Sequence, residues 1–217
     1  VITPANDEIL AATPKAGAAE AAEAARLALQ GFADWSALPA FERSKIMRQA
    51  AEIMRQGTEA AALTITLEQG KPLAQARAEW QSSADLLDWY AEEGRRAYGR
   101  IVPSRSPNIS LNVLRRPVGP VALLAPWNFS AWGIMQKVAP ALGAGCSVVM
   151  KPSEDTPATA WLIGRALLEA GVPARAVSVI WGHAPEISEA LIRSAEIRKV
   201  SLTGSIRVGR IVAGLAG

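Results

Sequence analysis

The stretch Val118–Glu154, VGPVALLAPWNFSAWGIMQKVAPALGAGCSVVMKPSE, decides how the rest of the chain is read. Its first apolar run, Val121 to Ala125, has the length of a strand buried on both faces, and Pro126 breaks the ladder. Trp127-Asn128-Phe129 then sets a polar amide between two aromatic rings. A helical segment follows to about Gly143, and a second apolar run, Cys146 to Met150, ends in Lys151-Pro152-Ser153-Glu154. Two polar clusters therefore lie just past the carboxyl ends of two buried strands joined by a helical crossover. In open parallel sheets that is where ligands bind.

Downstream the same rhythm continues. The pattern predicts a helix near Pro157–Ala170, a strand at Val177–Trp181, a helix near Pro185–Ser194, a strand at Lys199–Leu202 and a helix from Ile206 to Ala216. Strands alternating with helices imply an α/β fold with a doubly wound parallel, Rossmann-like sheet. Upstream the chain is helical by propensity. Helices are expected over Lys15 to Trp35, about Pro39 to Gln69, and Lys71 to Ala97, the last with Leu73, Ala76, Trp80, Ala84, Leu87 and Ala91 on one stripe. Trp80 and Trp89 are read as core packing, and Val1 to Thr13 as an irregular arm. Between Gly99 and Pro117, apolar and polar residues alternate around Ser104 to Pro107, which predicts a hairpin. It either pairs with another subunit or forms an edge of this subunit's own core. The expected organisation is thus an arm and helices (1–98), a hairpin suited to oligomerisation (99–117) and an incomplete dinucleotide-binding unit (118–217).

Composition narrows the function classes. The formal charge of +3 is small, and its basic residues are interleaved with acids, which argues against nucleic acid. One cysteine excludes an internal disulfide and fits a reducing compartment, so a cytoplasmic location is the default. No apolar run approaches the roughly 20 residues that span a bilayer. The sequence stops inside an uncapped helix, as a truncated chain would.

Chemistry concentrates at the strand ends. Lys151 and Glu154 can hold ribose hydroxyls, and an acid beside the adenine ribose repels a 2′-phosphate, favouring NAD over NADP. A solvated ion pair is the alternative. Gly204-Ser205-Ile-Arg-Val208-Gly209 opens a helix after a strand, and the amides of its first turn suit a pyrophosphate. An ordinary strand-to-helix turn reads the same way. A buried Asn128 amide could donate to a developing oxyanion, or Asn128 could cap the next helix. Cys146 has no neighbouring base in the sequence and reads as core. His183 reads as an exposed loop residue.

Together, Pro126-Trp-Asn-Phe129, Lys137-Val-Ala-Pro-Ala-Leu142, Gly145 to Glu154 and Thr203-Gly-Ser205 resemble the NAD(P)-dependent aldehyde dehydrogenases. Glu68-Gln-Gly-Lys-Pro72 resembles the branch containing succinate-semialdehyde dehydrogenase. The resemblance implies oxidation of a small-molecule aldehyde through a cysteine thiohemiacetal, a homo-oligomer and no metal. It makes Asn128 the oxyanion donor and Lys137 a member of a proton path. The cofactor cleft would be lined by Leu124, Ala125, Pro126 and Trp127. Lys151, Ser153 and Glu154 would hold the adenosine ribose, and Gly204, Ser205 and Val208 the pyrophosphate. Ala184 and Ser188 stand near the cofactor where glycine is common, Ser130 where proline is usual, and Leu202 where phenylalanine is. Gln136 stands where semialdehyde-specific members can carry an arginine. The family's Glu-Leu-Gly-Gly base segment and Gly-Gln-x-Cys nucleophile segment do not occur in these residues, so this chain alone is expected to be inactive. The other readings are a CoA-acylating relative, or a nucleotide-binding or assembly subunit without catalysis.

Overall fold

A computed structural model describes residues 1–217. Four helices come first: α1 (Ala18–Ala37), α2 (Ala40–Gln56), α3 (Thr58–Gln69) and α4 (Leu73–Arg96). A hairpin follows, β1 (Arg100–Val102) and β2 (Leu111–Val113), paired antiparallel. The α/β unit then runs β3 (Val121–Leu124), α5 (Trp132–Gly143), β4 (Val148–Lys151), α6 (Pro157–Glu169), β5 (Val177–Val179), α7 (Ala184–Arg193), β6 (Lys199–Leu202) and α8 (Ile206–Ala216). No helix is long and apolar enough to cross a membrane.

The second unit is a four-stranded parallel sheet in the order β5-β4-β3-β6. All four residues of β3 and of β4 are buried, as expected of strands covered on both faces. Alternate side chains go to opposite faces. Val121, Leu123, Val148 and Met150 join one core with α2 to α6, whereas Ala122 and Val149 join a second, smaller core with α1 and α7. The sheet is therefore doubly wound, and the strand order reverses between β3 and β6. In such sheets the crevice at that reversal is the ligand site.

Two expectations about the helical part need correction. The long helix predicted from about Pro39 to Gln69 is two helices. Gly57, at φ −86° and ψ 9°, ends α2, and the Thr58 hydroxyl donates to the Arg55 carbonyl at the corner. Glycine is a weak helix former, and on either side of the corner both α2 and α3 pack on α4 and α6. The buried stripe of α2 is Ser44, Met47, Ala50, Ala51 and Met54, while Ile46 and Ile53 only flank the core. Finally, Trp80 is buried with its indole N–H donating to the Met54 carbonyl at 2.6 Å, but Trp89 is 62% exposed. Trp89 lies two positions from Leu87 and so faces away from the α4 stripe.

Candidate active site

Three of the four strands of the parallel sheet, β3, β4 and β6, each deliver one sequence-predicted cluster at the carboxyl end. Leu124, the last residue of β3, pairs in register with Lys151 of β4 on one side and Leu202 of β6 on the other. The ladder extends one step further: the Ala125 amide donates to the Lys151 carbonyl at 3.3 Å and the Thr203 amide to the Leu124 carbonyl at 3.0 Å. Residues 125–129, 151–155 and 203–205 are thereby brought to one rim of the sheet, around the β3/β6 reversal. Ala184 and Ser188 are half-buried in the first turns of α7, which packs on the opposite face with α1.

Lys151 does not project freely past the sheet. Its side chain is 4% exposed, pairs with Glu154 Oε1 at 2.7 Å and donates to the Pro152 carbonyl at 3.0 Å. Pro152 forces the chain to turn sharply, which returns Glu154 over the lysine and leaves that carboxylate half in solvent. The solvated-pair alternative therefore fails on the lysine side. Ser153 is occupied by a local turn, its hydroxyl donating to Asp155 Oδ2 at 3.2 Å and accepting from the Asp155 amide.

Ser205 is the N-cap of α8: its hydroxyl accepts from the Val208 amide at 3.3 Å. The amides of Ile206 and Arg207 have no acceptor inside the helix. Gly204, Ser205 and Val208 are all exposed, and α8 buries none of its residues.

Asn128 differs from its expected setting. It is exposed, not buried, and it does not cap α5, whose N-cap is Ala131. Asn128 lines a cavity of about 460 Å³ with Lys71, Gln75, Glu79, Ser82, Phe129 and Trp132. The apolar flavour of its neighbours comes from Phe129 and Trp132, and tight turns need not bury what lies between aromatic residues. Trp127 and Glu154 line a different cavity, of about 510 Å³, with Glu68, Gln69, Asp155 and Thr156.

Lys137 stands apart from Asn128. It is buried on α5, donates to Thr203 Oγ1, and borders a third cavity of about 350 Å³ with Gln136, Lys199 and Ser201. Burial holds its ammonium below the ordinary lysine range. Cys146 is 3% exposed at the foot of β4, as a core residue, and His183 is exposed at the N-cap of α7.

The carboxylates that organise this rim escaped the sequence reading. Glu79 of α4 is buried, and its Oε1 accepts the amides of Ala131 and Trp132 at 2.9 and 3.2 Å, capping α5 from outside. Glu68 of α3 does the same for α6, accepting from the amides of Ala158 and Thr159 at 2.7 and 3.1 Å and from the Thr159 hydroxyl at 2.8 Å. Burial pushes the Glu68 carboxyl up, against the pull of those three donors. Neither helix has a side-chain cap of its own, so the carboxylates supply the anion each N-terminus favours. A signal did exist: Glu79 falls on the same stripe as Ala76 and Trp80, and an acid on a buried stripe requires partners.

Comparison with known proteins adds a family. The model described as the aldehyde dehydrogenase family matches residues 1–217. The mitochondrial succinate-semialdehyde dehydrogenase of Arabidopsis thaliana is 44% identical over 210 residues, covering 97% of this chain and 40% of that protein. The succinate-semialdehyde dehydrogenase GabD of Escherichia coli K12, whose name specifies NADP(+), is 40% identical over 97% of this chain and 44% of its own length. Among solved structures, an aldehyde dehydrogenase from Brucella melitensis biovar abortus 2308 superposes with a TM-score of 0.99 at 37% identity, covering all of this chain and 45% of that one. The chain thus spans less than half the length of the relatives it matches.

Proposed function

From the premise that the chain belongs to the aldehyde dehydrogenase family, we propose that it supplies the nucleotide cleft and one catalytic donor for NAD-dependent oxidation of an aldehyde to a carboxylate. The observation that carries this reading is the convergence of residues 125–129, 151–155 and 203–205 on one rim of the sheet, at the reversal of strand order.

The residues present fit a dinucleotide. Lys151 is already drawn under Glu154, a preformed amine–carboxylate pair for ribose hydroxyls, and the exposed first turn of α8 offers backbone amides to a pyrophosphate. NAD, when bound, supplies the hydride acceptor. Glu154 sets the preference for NAD over NADP, because a half-exposed carboxylate beside the ribose repels a 2′-phosphate.

When a thiolate adds to an aldehyde, negative charge develops on the carbonyl oxygen, and the Asn128 amide N–H stabilises it. One such donor is typically worth about a hundredfold to a thousandfold in kcat. Lys137 supports proton movement, since a lysine held below its usual range gives up its proton more readily. The thiolate comes from outside these residues, as Cys146 is buried, and this chain alone turns over no aldehyde. The cavity at Asn128 presents Phe129, Trp132, Gln75 and Ser82, and its only cation, Lys71, is paired with Glu79. A semialdehyde's carboxylate would find no free cation on this wall. The exposed hairpin serves as a contact between copies.

Calorimetric titration of the chain with NAD and NADP tests the reading. Heat with NAD that is lost in Lys151→Ala, with weaker NADP binding that Glu154→Gln strengthens, is the expected result. No heat with either nucleotide, or NADP binding insensitive to Glu154, would overturn it.

A further inference from the structure

The Trp127-Asn128-Phe129 turn is held by residues of the helical layer that contribute nothing to the sheet. Gln69 Nε2 donates to the Trp127 carbonyl at 2.5 Å. Lys71 Nζ donates to the Asn128 carbonyl at 3.1 Å, and its ammonium stands 4.4 Å from the centre of the Phe129 ring. Lys71 is itself paired with Glu79, whose other carboxylate oxygen accepts the Ala131 and Trp132 amides. Gly70 makes this reach possible. At φ 77° it terminates α3 in a left-handed turn, so Gln69 and Lys71 leave the helix aimed at the same loop.

Three consecutive residues, 127 to 129, are therefore gripped through two carbonyls and a ring, and Ala131 and Trp132 beyond them through their amides. What the grip leaves without a hydrogen-bond partner is the side chain of Asn128, an exposed residue that lines the 460 Å³ cavity. We infer that Gln69, Lys71 and Glu79 are positioning residues that act through Asn128, fixing its amide for the carbonyl oxygen of the aldehyde. This rests on the oxyanion role proposed above for Asn128.

Energetics favour a positioning role over simple stabilisation. The Lys71 and Glu79 side chains are only 12% and 3% exposed, and a desolvated ion pair contributes little net stability compared with apolar packing. It does fix geometry, and a catalytic donor gains its effect from being held in place before the charge develops.

A double-mutant cycle in the full-length protein tests the inference, with NAD and either succinate semialdehyde or benzaldehyde as substrate. Lys71→Met is expected to lower kcat by about tenfold to a hundredfold with KM for NAD unchanged, and to lower it less than about twofold in an Asn128→Ala background. An equal loss in both backgrounds, or none in either, would overturn the inference. Gln69→Leu introduces no buried unpaired charge, and serves if Lys71→Met fails to fold. It should show the same non-additivity at smaller amplitude. Deuterium exchange across residues 127–133 provides an independent readout: both variants should speed it while residues 157–169 stay unchanged, and unaltered exchange would count against the clamp. An Asn128→Ala enzyme with full kcat would instead sink the oxyanion reading beneath it, leaving the exchange result to decide the clamp alone.

Discussion

Lys137 is buried on α5 against Thr203, and its proton is held less tightly than in the unfolded chain because burial penalises the charged form. Between its lowered folded value and the ordinary lysine value, the unfolded state binds more protons than the folded one. Stability therefore rises with pH across that window, and falls as pH drops through the folded value. Lys137→Met should be more stable than the parent at pH 7.5, with the gap closing toward pH 10, as read by urea midpoints at the two pH values. An unchanged gap would mean the ammonium is solvated in the fold. Glu68 shows the complementary case. Its two oxygens each accept one backbone amide of α6, and an amide side chain in the same place would turn its NH2 group toward one of those donors. Glu68→Gln is expected to cost about 1–3 kcal/mol in chemical denaturation, the penalty of turning a buried donor away from its acceptor.

At the scale of elements, α1 sits against the turn that leads into β5 with no space between backbones. A Cβ built on Gly31 would fall 2.1 Å from the Arg175 carbonyl carbon, so glycine is required there by contact, not by its φ. Two further ties fix the helix: the Trp35 indole donates to the Leu142 carbonyl at 2.9 Å, and Ser147 Oγ donates to the Ala28 carbonyl at 2.6 Å. Gly31→Ala should therefore displace α1 as a body and cost about 3 kcal/mol or more, seen as a lower thermal midpoint. A midpoint equal to the parent's would show that α1 is not packed on that turn. The α1 pattern of alanines gives no hint of this, since it predicts a helix equally well with alanine at position 31.

For the whole molecule, the hairpin strands bury no residue in this chain's own core. Ile101 is 81% exposed and Leu114 69%, and the hairpin forms a sheet separate from the parallel one. That arrangement suits pairing with a second copy, since exposed strand edges and apolar side chains invite association. Ile101→Asp together with Leu114→Asp is expected to reduce the mass seen by light scattering on size-exclusion, without lowering helical content. An unchanged mass would remove the hairpin from any subunit contact.

The order of elements in the α/β unit was legible because burial on both faces makes β3 and β4 continuous apolar runs, and because Pro126 and Pro152 mark where they end. The bounds of β6 and α8 follow instead from the Thr203-Gly204-Ser205 turn between them. By itself, then, the chain determined its alternation of strands and helices, its family and the clusters at the strand ends. Tertiary structure alone decided what those clusters touch. It broke the long helix at Gly57, turned Trp89 outward and Asn128 into a cavity, and tucked Lys151 under Glu154. It also set Glu68 and Glu79 on the N-termini of α6 and α5, partners 90 and 52 residues away. Periodicity reports which face of an element is apolar. It carries no information about which distant backbone amide a buried carboxylate will meet, because that contact is fixed only when the helical layer docks on the sheet.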